Sequence, residues 1–282
     1  MGLTRLTLAA LVAALAVVPA ADASLADGVR YLRAQQNGDG GFGEPGARSD
    51  VGLTAWAVLG LRGAGAHPRR TEAAADFLVG RRDTAVTDLE LRILALDALS
   101  RGVGSLARKL ASHRRSDGRI GPTVNSTIWG ILALRAAGKP AGRATVRWLL
   151  ARQRPGGGWG WSPRGAADSN DTAAAVQALR AAGVRARARP IRRGLRFLRS
   201  LQNRNGGFEL TAGRGSDAQS TAWAIQAFLA ARARPGAEAF RYLRRLQRRN
   251  GSYRYSRAFA TTPAWVTAQV LPALARRPYP FR

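Results

Sequence analysis

Two styles of hydrophobic patterning alternate along this chain. In the first, apolar residues stand three or four apart and arginines fill the other side. Val29 and Leu32, Val146 and Leu149, Leu195 and Leu198, and Phe240 and Leu243 are such pairs. Spacing of this kind predicts amphipathic helices with one face toward water. In the second style, Ala, Val, Leu and Trp run with almost no charge, as in Leu53–Leu61, Thr172–Leu179, Thr221–Leu229 and Thr262–Leu271. A helix that is apolar all round is a buried one. The two styles therefore predict an outer and an inner helical layer. No alternating strand pattern of useful length is present.

Between each outer and inner helix the same frame recurs. Gln36, Gln153, Gln202 and Gln247 each have an aromatic five residues before (Tyr31, Trp148, Phe197, Tyr242) and another six residues after (Phe42, Trp159, Phe208, Tyr253). Gly40, Gly157, Gly206 and Gly251 stand four residues after the glutamines. Agreement at fixed offsets marks a repeat protein. Weaker copies centre on Arg82 and Arg114, followed by Leu89–Leu96 and Thr127–Leu134. The reading is all-α: an α/α toroid of about six helix pairs, in a single domain over residues 24–282. Periodicity alone leaves an open solenoid as the alternative.

The first 23 residues stand apart. Arg5 precedes an apolar run, Leu6 to Ala20, and Ala21-Asp22-Ala23 supplies small residues at an Ala-x-Ala-type site. This is the pattern of a secretory signal peptide over residues 1–23. It implies a secreted or cell-envelope protein; an uncleaved anchor is the other reading. With no cysteine, disulfides and thiolate metal sites are excluded. The net charge of +28 favours an anionic envelope surface or a plainly solvated face. Nucleic acid is not an expected partner, because no nucleic-acid-binding motif is present.

The frame Arg193-Gly194-Leu195-Arg196-Phe197-Leu198, Gln202, Asn205-Gly206-Gly207-Phe208 resembles the glutamine–aromatic repeat of squalene cyclases and protein prenyltransferases, as does the copy from Gly28 to Phe42. The resemblance spans essentially all of the mature chain. It implies a toroid with a central cavity, in which these loops tie helices together, and an isoprenoid or other apolar small molecule as ligand. It also admits non-catalytic binders such as cobalamin carriers.

Asp168-Ser169-Asn170-Asp171-Thr172-Ala173 resembles the Asp-x-Asp-Asp-Thr-Ala motif of class II terpene cyclases, whose middle carboxylic acid protonates an alkene or epoxide. Here the middle residue is Asn170, and an amide cannot serve as the acid. Asp168 and Asp171 are the candidate catalytic residues, with Trp159, Trp161, Asn170 and Trp223 as candidate ligand-binding residues. The competing reading makes Asp171 or Thr172 a helix cap, as Ser49, Asp50, Asn125, Ser126, Asp217, Ser220, Thr261 and Thr262 would be in other repeats. Trp56, Trp129, Trp223 and Trp265 fall on inner helices, as cavity wall or as core. Glu90 and Arg92 are unusual charges on an inner helix; they meet in the cavity or mark a distorted repeat. No metal site and no cofactor are expected. A prenyltransferase zinc site needs a cysteine, and His67 and His113 lack partners. The expected function is an exported cyclase-like toroid. The alternative is a non-catalytic binding or scaffold module of the envelope.

Overall fold

A computed structural model describes residues 20–82 and 85–281. The leader expected over residues 1–23 lies outside them up to residue 19. Six outer helices alternate with six inner ones. The outer set is α1 (Ala20–Ala34), α3 (Thr71–Val79), α5 (Gly104–Ser112), α7 (Arg143–Ala151), α9 (Arg189–Ser200) and α11 (Ala237–Arg245). The inner set is α2 (Val51–Gly63), α4 (Val86–Ala98), α6 (Val124–Ala136), α8 (Ser169–Ala181), α10 (Ala218–Ala230) and α12 (Pro263–Leu274). Each inner helix packs on the next, and α12 packs on α2, so the ring closes. A two-residue hairpin, β1 (Phe208–Glu209) with β2 (Ser216–Asp217), decorates one loop. No helix among the described residues is long and apolar enough to cross a membrane.

The recurring frame is a clamp between repeats. The side-chain amides of Gln36, Gln153, Gln202 and Gln247 donate to the carbonyls of Gly40, Gly157, Gly206 and Gly251. Gln36 also exchanges hydrogen bonds with the backbone of Arg70, and Gln153 donates to Pro190, both at the start of the next outer helix. The glycine is needed for two reasons. Gly40 has φ +89°, and a Cβ there would lie 2.3 Å from the Ala73 carbonyl oxygen on α3. Gly251 makes the same approach to Asp27 of α1 and so carries the pattern across the seam of the ring.

A second set of ties joins each frame to its own inner helix. The backbone N–H groups of Phe42, Ile120, Trp159, Phe208 and Tyr253 donate to the hydroxyls of Thr54, Thr127, Thr172, Thr221 and Thr267, at 2.8–3.1 Å. Each threonine sits in the second turn of an inner helix and is buried. These buried donors would otherwise be unpaired, at a cost of about 1–3 kcal/mol each.

A third set runs around the rim. Two residues beyond the second aromatic, each loop satisfies the exposed N–H groups that start the preceding inner helix. The carbonyl of Trp161 accepts from Val124 and Asn125 of α6, Leu210 from Ser169 of α8, and Tyr255 from Ala218 of α10. At the seam, the Glu44 carboxylate accepts from Ala264 and Trp265 of α12, both at 2.9 Å. Thr262 cannot cap that helix, because it is left-handed and its side chain makes no cap hydrogen bond.

Candidate functional site

Helix geometry puts two tiers of side chains on the inner wall of the ring. Positions four apart lie on one face of a helix. The upper tier is Thr87, Asn125, Asn170, Gln219 and Trp265; one turn deeper come Trp56, Leu91, Trp129, Ala174, Trp223 and Gln269. Gly52 occupies the sixth upper position on α2. With Trp161 and Leu210 from the rim and Asp168 and Asp171 from the start of α8, these residues enclose a cavity of about 480 Å³. That volume lies within the ~300–1,000 Å³ of small-molecule sites. Among the described residues, no lysine or arginine lines it.

The floor is aromatic. Trp56, Trp129 and Trp223 stand mutually edge to face, with ring centroids 5.4–5.7 Å apart. Tyr279, from the segment after α12, lies against all three at 5.7–6.2 Å. Its backbone N–H donates to Gln177 of α8, and Gln226 of α10 donates to the Arg277 carbonyl. The ring is thereby filled from below, and the cavity opens at the helix N-termini. The inner-helix tryptophans are both core and cavity wall.

The acidic pair sits at that mouth. Asp168, rather than Asp171 or Thr172, is the N-cap of α8: its Oδ1 accepts from the Asp171 N–H at 2.8 Å. Asp50, Thr123 and Asp217 do the same for α2, α6 and α10. The Asp171 side chain is therefore free of capping, and it is 5% exposed. Its Oδ1 accepts from Asn125 Nδ2 of α6 at 2.7 Å. Burial, and then the neighbouring charge of Asp168, push its carboxyl up to about 8. Burial also raises Asp168, but the N–H and carboxyl of Asp171 stabilise its ionised form. The shared proton thus resides on Asp171, a neutral acid at neutral pH. Asn170 lines the cavity, its Oδ1 accepting from the Ser169 hydroxyl at 3.3 Å.

The sequence-derived set divides here. Asp168, Asn170, Asp171, Trp161 and Trp223 converge on the cavity. Trp159 does not: it is fully buried, and its indole N–H donates to the Leu149 carbonyl at 2.8 Å. Trp159 pairs with Asp168 as a short antiparallel bridge, so its ring points into the layer between helices while Trp161, two residues on, reaches the rim. Glu90 and Arg92 are also absent from the cavity. Glu90 packs against Gly130 of α6, whereas Arg92 extends toward the Val79 carbonyl. Asn125, read from the sequence as a cap, instead bonds Asp171. Gln219 and Gln269 went unnoticed in the sequence, and their signal is a position in the first or second turn of an inner helix.

The model of the prenyltransferase alpha-alpha toroid domain matches residues 4–90 and 124–258. The chain belongs to this family. Among curated proteins, a drimenyl diphosphate synthase of Streptomyces showdoensis is 32% identical, over 73% of this chain and 45% of that protein. The chain thus spans about half the length of that relative. A protein of Actinoplanes has the same fold at 21% identity, with a TM-score of 0.69 over 91% of this chain and 99% of that one. So does the type II terpene cyclase MstE of Scytonema in complex with geranylgeranyl dihydroxybenzoate, its substrate (18% identity, TM-score 0.69, 91% and 97% covered). Candida albicans protein geranylgeranyltransferase-I complexed with GGPP is more distant (10% identity, TM-score 0.65, 89% and 90% covered).

Proposed function

We propose that the cavity receives a neutral isoprenoid chain and that Asp171 starts its cyclisation by protonating an alkene. The observation that carries this reading is a buried carboxylic acid at the mouth of a tryptophan-lined cavity. In the step envisaged, the alkene π pair takes the Asp171 proton to form a C–H bond, and the adjacent carbon becomes a carbocation. The carboxylate left behind keeps the hydrogen bond from Asn125. The faces of Trp56, Trp129 and Trp223 stabilise positive charge. A second alkene of the chain attacks the cation to close a ring, and loss of a proton ends the sequence without change of mass. The lack of a lysine or arginine among the described residues that line the cavity favours a neutral substrate over a diphosphate. MstE is found in complex with geranylgeranyl dihydroxybenzoate, which supports an isoprenoid chain as the ligand. The leader-like residues 1–23 and the charge of +28 support export and contact with an anionic envelope surface.

A second reading, a non-catalytic binding module, draws on Asn170 in the place of the family's acid and on Asp168 serving as a cap. Incubation with farnesol, geranylgeraniol, a prenylated hydroxybenzoate and squalene, followed by mass spectrometry, separates the two. The cyclase reading expects isomeric products from the wild type and none from Asp171→Asn. Equal turnover by that variant would sink the acid assignment; binding of the chains without turnover would establish the second reading.

A further inference from the structure

Across the ring from α6, two glutamines form a second polar pole in the cavity. Gln269 on α12 accepts at its Oε1 from the Trp223 indole N–H at 3.0 Å and from Gln219 Nε2 of α10 at 2.9 Å. The indole N–H is a donor only, so it must face the oxygen of Gln269. With that oxygen fixed, Gln219 can approach it only through its amide nitrogen. One indole thus orients both amides. Among the described residues, neither Gln269 Nε2 nor Gln219 Oε1 has a partner, and both side chains line the cavity. The pair presents one free donor and one free acceptor to the cavity, at a deeper tier otherwise made of Trp56, Leu91, Trp129, Ala174 and Trp223.

We propose that Gln219 and Gln269 bind a hydroxyl group of the ligand, which makes the substrate class an isoprenoid alcohol or a prenylated phenol rather than a pure hydrocarbon. A hydroxyl is donor and acceptor at one atom. It can accept from Gln269 Nε2 and donate to Gln219 Oε1, while an ether or a carbonyl engages only Gln269. The chain would then lie over Trp56, Trp129 and Trp223, with its alkene end toward Asp171. This inference rests on the reading that the cavity takes an isoprenoid, and it adds the chemistry of the ligand's other end.

The test compares farnesol with its deoxy hydrocarbon, using quenching of tryptophan fluorescence as the signal. The expected result is that the wild type binds the alcohol about tenfold more tightly or better, in line with about 1 kcal/mol for each hydrogen bond. In Gln269→Leu and in Gln219→Leu the preference should fall to near unity. Gln219→Leu leaves the Trp223–Gln269 bond in place, so it decides the matter if Gln269→Leu fails to fold by circular dichroism. Equal binding of both ligands by the wild type overturns the hydroxyl assignment alone, as does a preference that survives Gln219→Leu. Binding of neither ligand overturns the isoprenoid reading and this inference together.

Discussion

Asn125 on α6 donates its side-chain amide to Asp171 on α8 at 2.7 Å, and that single bond joins two neighbouring inner helices at the cavity mouth. A donor on Oδ1 favours the acid proton on Oδ2, the oxygen left to face Asp168 or a ligand. The acid of the site is therefore held by one residue, raised by another, and aimed by the geometry of both.

Replacing Asp168 by asparagine keeps an oxygen for the α8 cap and removes the charge that helps raise Asp171. If the protonated form of Asp171 is the active one, turnover is present below its pKa of about 8 and lost as the pH rises through it. Asp168→Asn should move this alkaline limb to lower pH, and Asp168→Ala should in addition lower thermal stability by about 1 kcal/mol through loss of the cap. A limb that stays near 8 in Asp168→Asn would mean that burial alone sets the acidity.

Glu90 should be a source of instability. It is fully buried, and among the described residues neither carboxyl oxygen has a hydrogen-bond partner; burial holds its carboxyl well above the usual range. The native state therefore keeps a proton that the unfolded chain gives up near pH 4. Stability contributed by this group is full below that value and declines as the pH rises above it. Glu90→Leu should raise stability by roughly 1–3 kcal/mol at neutral pH, with a smaller gain at pH 4. Urea unfolding at both values checks this.

The threonine ties make a separate forecast. Thr172→Val has the same shape but leaves the Trp159 N–H without its acceptor inside the core. The expected loss is about 1–3 kcal/mol, with Thr172→Ser retaining most of the stability. Equal melting of the valine and serine variants would assign the effect to packing.

Closure of the ring is open to test at Gly251. With φ +88° and a would-be Cβ 2.3 Å from the Asp27 carbonyl oxygen, Gly251→Ala should cost at least about 2 kcal/mol. Faster amide exchange should appear in α1 and α11, the two helices at the seam. Gly38→Ala meets nothing within 4 Å and should melt with the wild type.

The layers and the repeat were legible in the sequence, because period and glycine spacing are local signals; the clamping role of Gln36 and its counterparts was implied by the family resemblance. The threonine ties were not. Thr54, Thr127 and Thr267 lie 12, 7 and 14 residues beyond their partners, and loops of unequal length hide the repetition. Trp159 and Trp161 show a finer limit: two residues apart in an extended segment, they differ in whether the next layer of side chains encloses them. Asp171 was legible as a candidate through its motif, but its release from capping depended on which of two aspartates took the α8 N-terminus. Gln219 and Gln269 read as ordinary polar residues until the ring brought α10 beside α12.

The tail that sets Tyr279 beneath the tryptophan triad makes the ring a cup rather than a tube. Whatever enters must leave by the same doorway, so under the proposed chemistry a bulkier product would have to back out past Trp161 and Asp171. The cup's floor belongs to the inner helices, and the tail is its buttress. Shortening residues 277–281 would change the depth only by letting Trp56, Trp129 and Trp223 settle into the space that Tyr279 fills.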